Sequence, residues 1–139
     1  MEPFVVDASL TLAWCFADEA TRYSREVLAA LETTYALAPA LWPFEVANVL
    51  ALAERRGRIT PEGTAEFLER LRRLPIQIER REALWICQQV LPLTREHRLS
   101  AYDAAYLELA TRERMPLATL DDELQKAAHA AGVSLLTVS

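Results

Sequence analysis

Short runs of β-forming residues alternate with helical stretches along the whole chain, and this alternation limits the possible folds more than any other feature. The runs lie at Pro3–Val6, Tyr35–Ala38, Ile76–Glu79, Leu117–Thr119, entered through Pro116, and Ser134–Val138. Strands separated by helices cannot close as hairpins. Each must reach the next by a crossover, which joins parallel strands. The expectation is an α/β fold with a mainly parallel central sheet covered on both faces.

The helical stretches follow from spacing and end signals. The first crossover runs through Ser9–Phe16 and Glu19–Glu32, where Tyr23, Val27, Leu28 and Leu31 recur at helical spacing. Pro43 suits the first turn of a helix running to Arg56, with Gly57 as its stop, and Thr60 and Pro61 open the next, through Arg73. Two further helices are expected at Arg81–Val90, ended by Pro92, and at Ala101–Arg114, capped by Ser100. The last helix starts near Asp121 and stops at Gly132. With 139 residues, only 3 Gly and no low-complexity tract, a single domain over residues 1–139 is expected.

Several function classes are disfavoured at once. The apolar amino terminus lacks a basic leader and is interrupted by Asp7, so neither a secretory signal nor a membrane span fits, and a cytoplasmic location is expected. Cys15 and Cys87 belong to no C-x-x-C pair and read as two buried thiols in a reducing compartment. No G-x-G-x-x-G is present for a dinucleotide. A net charge of −5 argues against broad nucleic-acid binding. If four carboxylates hold a metal, however, the remainder is nearly neutral and the arginines can dominate locally. Trp14, Trp42 and Trp85 read as core or interface anchors, Tyr102 and Tyr106 as helix contacts with no site role, and His97 and His129 as solvent-facing or capping groups.

In open parallel sheets, functional groups gather where strands end and helices begin. Asp7 stands there, in VVDAS, with Ser9 placed to orient its carboxylate or a water. Glu45 lies in the first turn after Pro43, and Asn48 is three residues on. Asp103 follows Ser100 at capping-box spacing, and in LATLDDEL Thr119 and Asp121 are two apart, with Asp122 as the alternate acid. Each acid alone is also explained as a cap or a helix-dipole partner. Together they form a constellation that repels itself and calls for a cation. Hard oxygen ligands select Mg²⁺ or Mn²⁺, which serve phosphodiester hydrolysis.

These residues bring a family with them. VVDASLTLAW, PFEVANVL, RRGRIT, LSAYDAAYLELA and LATLDDEL, in this order and spacing, resemble PIN-domain nucleases, especially VapC-type toxins of toxin–antitoxin pairs. The resemblance covers nearly the whole chain. It implies a three-layer α/β/α sandwich, a Mg²⁺- or Mn²⁺-dependent endoribonuclease acting on RNA, a homodimer, and a VapB-type antitoxin as partner. Carried onto this sequence, it makes Asp7, Glu45, Asp103 and Asp121 the acidic quartet, with Asp7 and Asp103 as direct metal ligands and Ser9, Asn48 and Thr119 as supporting polar groups.

Other readings fit less well. A haloacid-dehalogenase-type phosphatase needs D-x-D, where this chain has Ser9 as the second member. A response-regulator receiver needs an acidic pair and a late lysine, whereas the sole lysine, Lys126, follows the last acidic motif. The remaining alternative is a non-catalytic PIN-like module that works through protein partners.

Overall fold

A computed structural model describes residues 1–138. The elements run β1 (Phe4–Val6), α1 (Ala8–Ala13), a 3-10 turn (Ala17–Glu19), α2 (Arg22–Ala30), β2 (Ala36–Pro39), α3 (Trp42–Arg55), α4 (Pro61–Arg72), β3 (Ile76–Glu79), α5 (Ala83–His97), α6 (Ala101–Glu113), β4 (Leu117–Ala118) and α7 (Asp122–Ala130). The four strands form one sheet in the order β3-β2-β1-β4, every pair parallel, as the alternation required. In register, Val5 pairs with Leu37 on one side and Leu117 on the other. Helices flank the sheet, giving the expected α/β architecture. No described helix is long and apolar enough to cross a membrane.

The core explains the order of pairing. β1 is the apolar run FVV, and Phe4, Val5 and Val6 are all fully buried between β2 and β4. Leu10 of α1, Leu107 and Leu109 of α6 and Leu124 of α7 are equally buried in the same cluster. Removing a side chain of this size from water contributes about 1.5–3 kcal/mol.

Four expectations need correction. Ser134–Val138 is not a strand. Among the described residues it makes only a bridge between Leu117 and Leu135, because β4 is two residues long and the chain turns away after Ala118. Pro92 does not end a helix, since α5 continues through it to His97. Pro92 and Gln88, whose carbonyl loses its amide partner, both lie on the exposed side of α5, where water can take the hydrogen bond. The thiols are not both buried either: Cys87 is exposed on α5 and Cys15 is half-buried. His97, read as a solvent-facing or capping group, does not face solvent: its side chain is 9% exposed.

An ion network ties the far edge of the sheet to the helices. Arg112 of α6 donates through Nε and Nη2 to Glu108 and through Nη1 to Glu79 at the end of β3. All three of its nitrogens are thus engaged, and its guanidinium also lies over the Trp85 ring.

Candidate active site

Asp7 follows the last residue of β1 and caps α1 with the same carboxylate. Oδ1 accepts from the Leu10 amide at 2.9 Å and from the Ser9 hydroxyl at 2.8 Å. Oδ2 accepts from the Thr119 hydroxyl at 2.5 Å and from Ser9 at 2.9 Å. Thr119 follows β4, so this network closes the gap between the two adjacent strand ends. The Asp121 amide donates to Thr119 Oγ1 at 3.0 Å, and the Leu120 amide to Ser9 Oγ at 3.1 Å. Burial pushes the Asp7 carboxyl up to about 6; the Thr119, Leu10 and Ser9 bonds work against it, and the Asp121 charge adds to it.

Glu45 sits in the first turn of α3, half-buried. Tyr106 of α6 donates its hydroxyl to Glu45 Oε1 at 2.5 Å. Burial raises the Glu45 pKa, the Tyr106 bond lowers it, and Asp103 raises it further. Asn48, one turn on, shares a shallow hollow of about 530 Å³ with Glu45, Ser9, Glu19 and Leu120.

Asp103 lies in the first turn of α6, where Ser100 Oγ accepts from its amide at 3.1 Å. The reciprocal bond of a capping box is absent among the described residues, so the Asp103 carboxylate is not used up in ending the helix. Burial raises its pKa, with Asp121 and then Glu123 adding to the effect. Asp121 caps α7, accepting from the Glu123 amide at 2.9 Å and the Leu124 amide at 3.4 Å. Asp122 is exposed on the first turn of α7.

The arrangement brings Asp7, Ser9, Thr119 and Asp121 into one bonded group and sets Glu45 and Asp103 where their charges act on each other. Asp103 and Asp121 link the two sets. Hard carboxylate oxygens that raise one another's pKa values suit a divalent cation such as Mg²⁺ or Mn²⁺. Among the described residues no three acidic, histidine or cysteine side chains already stand at ligating spacing, so the set is open rather than closed.

Several residues of this site carry no site role when read from sequence alone. Tyr106 is buried, and its hydroxyl positions Glu45; its place one turn after Asp103 was the available signal. Glu123 acts on Asp103 from the acidic run LDDEL. Glu19 reaches the hollow from the 3-10 turn, and nothing in its local sequence signals this. Trp42 donates from Nε1 to Thr11 Oγ1 at 3.0 Å, and Thr11 donates to the Asp7 carbonyl at 2.7 Å, so α1 and α3 are pinned behind the site.

Residues 4–130 match the PIN domain family. The chain is 28% identical over 120 residues to ribonuclease VapC3 of Pyrobaculum aerophilum, covering 86% of this chain and 90% of that one. A crystal structure of a protein from Pyrobaculum aerophilum superposes with a TM-score of 0.67 at 25% identity, over 91% of this chain and 87% of that one. The sarcin-ricin loop cleaving toxin VapC20 of Mycobacterium tuberculosis superposes with a TM-score of 0.65 at 15% identity, covering 98% of each chain. FitAcB of Neisseria gonorrhoeae does so with 0.63 at 18%, over 99% of this chain and 97% of that one. At those last two identities the likeness speaks for the fold alone.

Proposed function

The chain belongs to the PIN domain family and is distantly related to VapC ribonuclease toxins, and from that premise we propose that it is a Mg²⁺- or Mn²⁺-dependent endoribonuclease, the toxin of a toxin–antitoxin pair. One observation carries the reading. Asp7, just after β1, and Asp121, before α7, are joined through Thr119 at the carboxyl edge of a parallel sheet, and Asp103 and Glu45 lie close enough for charge to act between them, short of ligating spacing. The nuclease is read as one domain over residues 1–139.

Asp7 and Asp103 would hold the ion directly. Glu45 and Asp121 complete the site or orient the attacking water. A bound divalent ion supplies water activation and neutralises charge at the phosphate and leaving oxygen. The chain's own groups do the positioning. Ser9 and Thr119 fix both Asp7 oxygens, so the carboxylate cannot rotate away. Tyr106 holds one Glu45 oxygen and leaves the other to take a proton from water, a task its raised pKa favours. Asn48 borders the hollow as a neutral polar group for the strand.

VapC-type toxins pair with antitoxins, and a VapB-type antitoxin and a homodimer are proposed for this chain on that ground. A small DNA-binding protein encoded just upstream and co-purifying with the chain would support the pairing.

The deciding experiment is cleavage of RNA by the purified protein with Mn²⁺, with Mg²⁺ and with EDTA, beside Asp7→Asn and Asp103→Asn. Metal-dependent cleavage by the wild type, reduced by roughly a hundredfold or more in either variant, is expected. Equal cleavage by all three proteins overturns the assignment. Metal-linked stabilisation without cleavage favours the non-catalytic module.

A further inference from the structure

Arg58, just beyond the end of α3, is anchored both by carboxylates and over an aromatic ring, yet through one nitrogen alone. Gly57 ends α3 at φ +70°, and the Arg58 amide turns back to the Ala53 carbonyl at 2.8 Å. This sends the Arg58 side chain towards the 3-10 turn. There a single nitrogen, Nη2, donates to both Asp18 oxygens at 3.0 and 3.2 Å and to Glu19 at 3.2 Å. The guanidinium lies 4.3 Å from the centroid of the Phe16 ring, whose side chain is buried in the core. Its plane is therefore fixed, while Nε–H and both Nη1 hydrogens donate to nothing among the described residues and the side chain is 36% exposed. Arg112 is the contrast, with all three nitrogens engaged and 18% exposed.

The location gives the unused donors a purpose. Glu19, which Arg58 holds, lines the same hollow as Glu45, Asn48 and Ser9. An RNA strand entering there meets Glu19 and Glu45, with Asp18 next to Glu19 on the 3-10 turn, and all three repel phosphate. Arg58 is the cation bonded to a residue of that hollow, and its free donors match a phosphate oxygen.

We propose that Arg58 binds a non-scissile backbone phosphate of the RNA strand beside the acidic site, held ready by Asp18, Glu19 and Phe16. The inference rests on the ribonuclease reading, and it adds a phosphate subsite to it. Asp18 and Glu19 act as an anchor that orients the guanidinium without saturating it. Phosphate binding needs no rearrangement of the arginine, which lowers the ordering cost of the contact.

The test is binding of a fluorescein-labelled single-stranded oligoribonucleotide of mixed sequence, in EDTA so that it is not cut, followed across a salt series. Removing Arg58 alone also exposes two carboxylates to the RNA, so the informative comparison is Asp18→Asn/Glu19→Gln with and without Arg58→Ala. In that neutral background the loss of Arg58 is expected to weaken binding roughly tenfold at low salt. The slope of log affinity against log salt should fall by about 0.7, the value for one phosphate contact on a single strand. Arg58→Lys, which keeps the charge, should retain the slope and recover part of the affinity. If Arg58→Ala fails to fold, the lysine variant carries the comparison, and loss of the slope in it counts against the proposal. A strap that only ties the 3-10 turn to α3 would change the melting temperature and leave the slope alone; unchanged affinity and slope overturn the inference. If the wild type cleaves RNA with Mn²⁺ while Arg58→Ala binds as well as its parent, only the phosphate subsite fails. If the wild type neither binds nor cleaves RNA, both readings fail.

Discussion

Asp7 is a buried carboxyl that three hydrogen-bond donors cannot fully compensate, so its pKa stands near 6 against an ordinary 3.8. Between those values the folded chain keeps a proton that the unfolded chain has released. The stabilisation this gives is fully present below pH 3.8 and is lost as pH rises through about 6. At 1.36 kcal/mol per pKa unit, the loss is about 3 kcal/mol for the metal-free protein. Glu45 and Asp103 are shifted in the same direction and add to the slope. Asp7→Asn is therefore expected to stabilise the metal-free protein at pH 7, by roughly 1–3 kcal/mol, and to gain nothing at pH 4. Urea unfolding in EDTA at the two pH values measures it, and a variant less stable than wild type at pH 7 contradicts the account. The sequence made Asp7, Ser9, Thr119 and Asp121 legible because strand-end position and two-residue spacing leave a local mark. Glu19 leaves none, and Tyr106 leaves only its place one turn after Asp103: the tyrosine's ring reads as core, and the tertiary fold brings its hydroxyl to Glu45 and Glu19 to the hollow.

Among the elements, α5 shows how a local rule is outweighed. A proline in a helix interior removes one hydrogen bond and crowds the preceding turn, at about 3 kcal/mol. It also restricts the unfolded chain, which returns about 0.4–1 kcal/mol. The net penalty of about 2 kcal/mol is borne because Pro92 and Gln88 face water while Val90, between them, is buried. Pro92→Ala is thus expected to stabilise the protein by about 2 kcal/mol, read as a higher urea midpoint with an unchanged slope. A lower midpoint would mean that the proline fits a bend the helix needs. The same comparison marks what element reading achieves. The caps Thr60 and Ser100 and the stop Gly57 act as their chemistry dictates: the two hydroxyls accept from the Gly63 and Asp103 amides, and the Gly57 amide donates to the Glu54 carbonyl. Ser134–Val138 reads as a strand because it is a short run of β-forming residues, whereas pairing depends on the length of its neighbour β4, which a local pattern does not contain.

At the scale of the whole molecule, the sheet order places the site. From β1 the chain winds outward through β2 to β3, then returns to lay β4 on the opposite side of β1. The connections leaving β1 and β4 therefore part from each other, and the crevice between them is where Asp7 and Thr119 meet. Alternation of elements predicted the crossovers but not this order, since short, fully buried strands look alike to a periodicity argument. The topology concentrates carboxylates in a chain already carrying −5, so the metal-free fold bears a repulsion that a bound divalent cation would remove. Metal that binds the folded state only, at a concentration of a hundred times its Kd, stabilises by about 2.7 kcal/mol. For a chain of this size that raises the melting temperature by several degrees. Protons compete for the same oxygens, so the Mn²⁺-induced shift is expected to be larger at pH 7.5 than at pH 5, below the Asp7 value of about 6. Asp7→Asn and Asp103→Asn should each lose most of it. Thermal melts with Mn²⁺ and with EDTA at both pH values decide the matter: a shift that persists undiminished in both variants, or is equal at the two pH values, would place the metal somewhere other than the β1–β4 crevice.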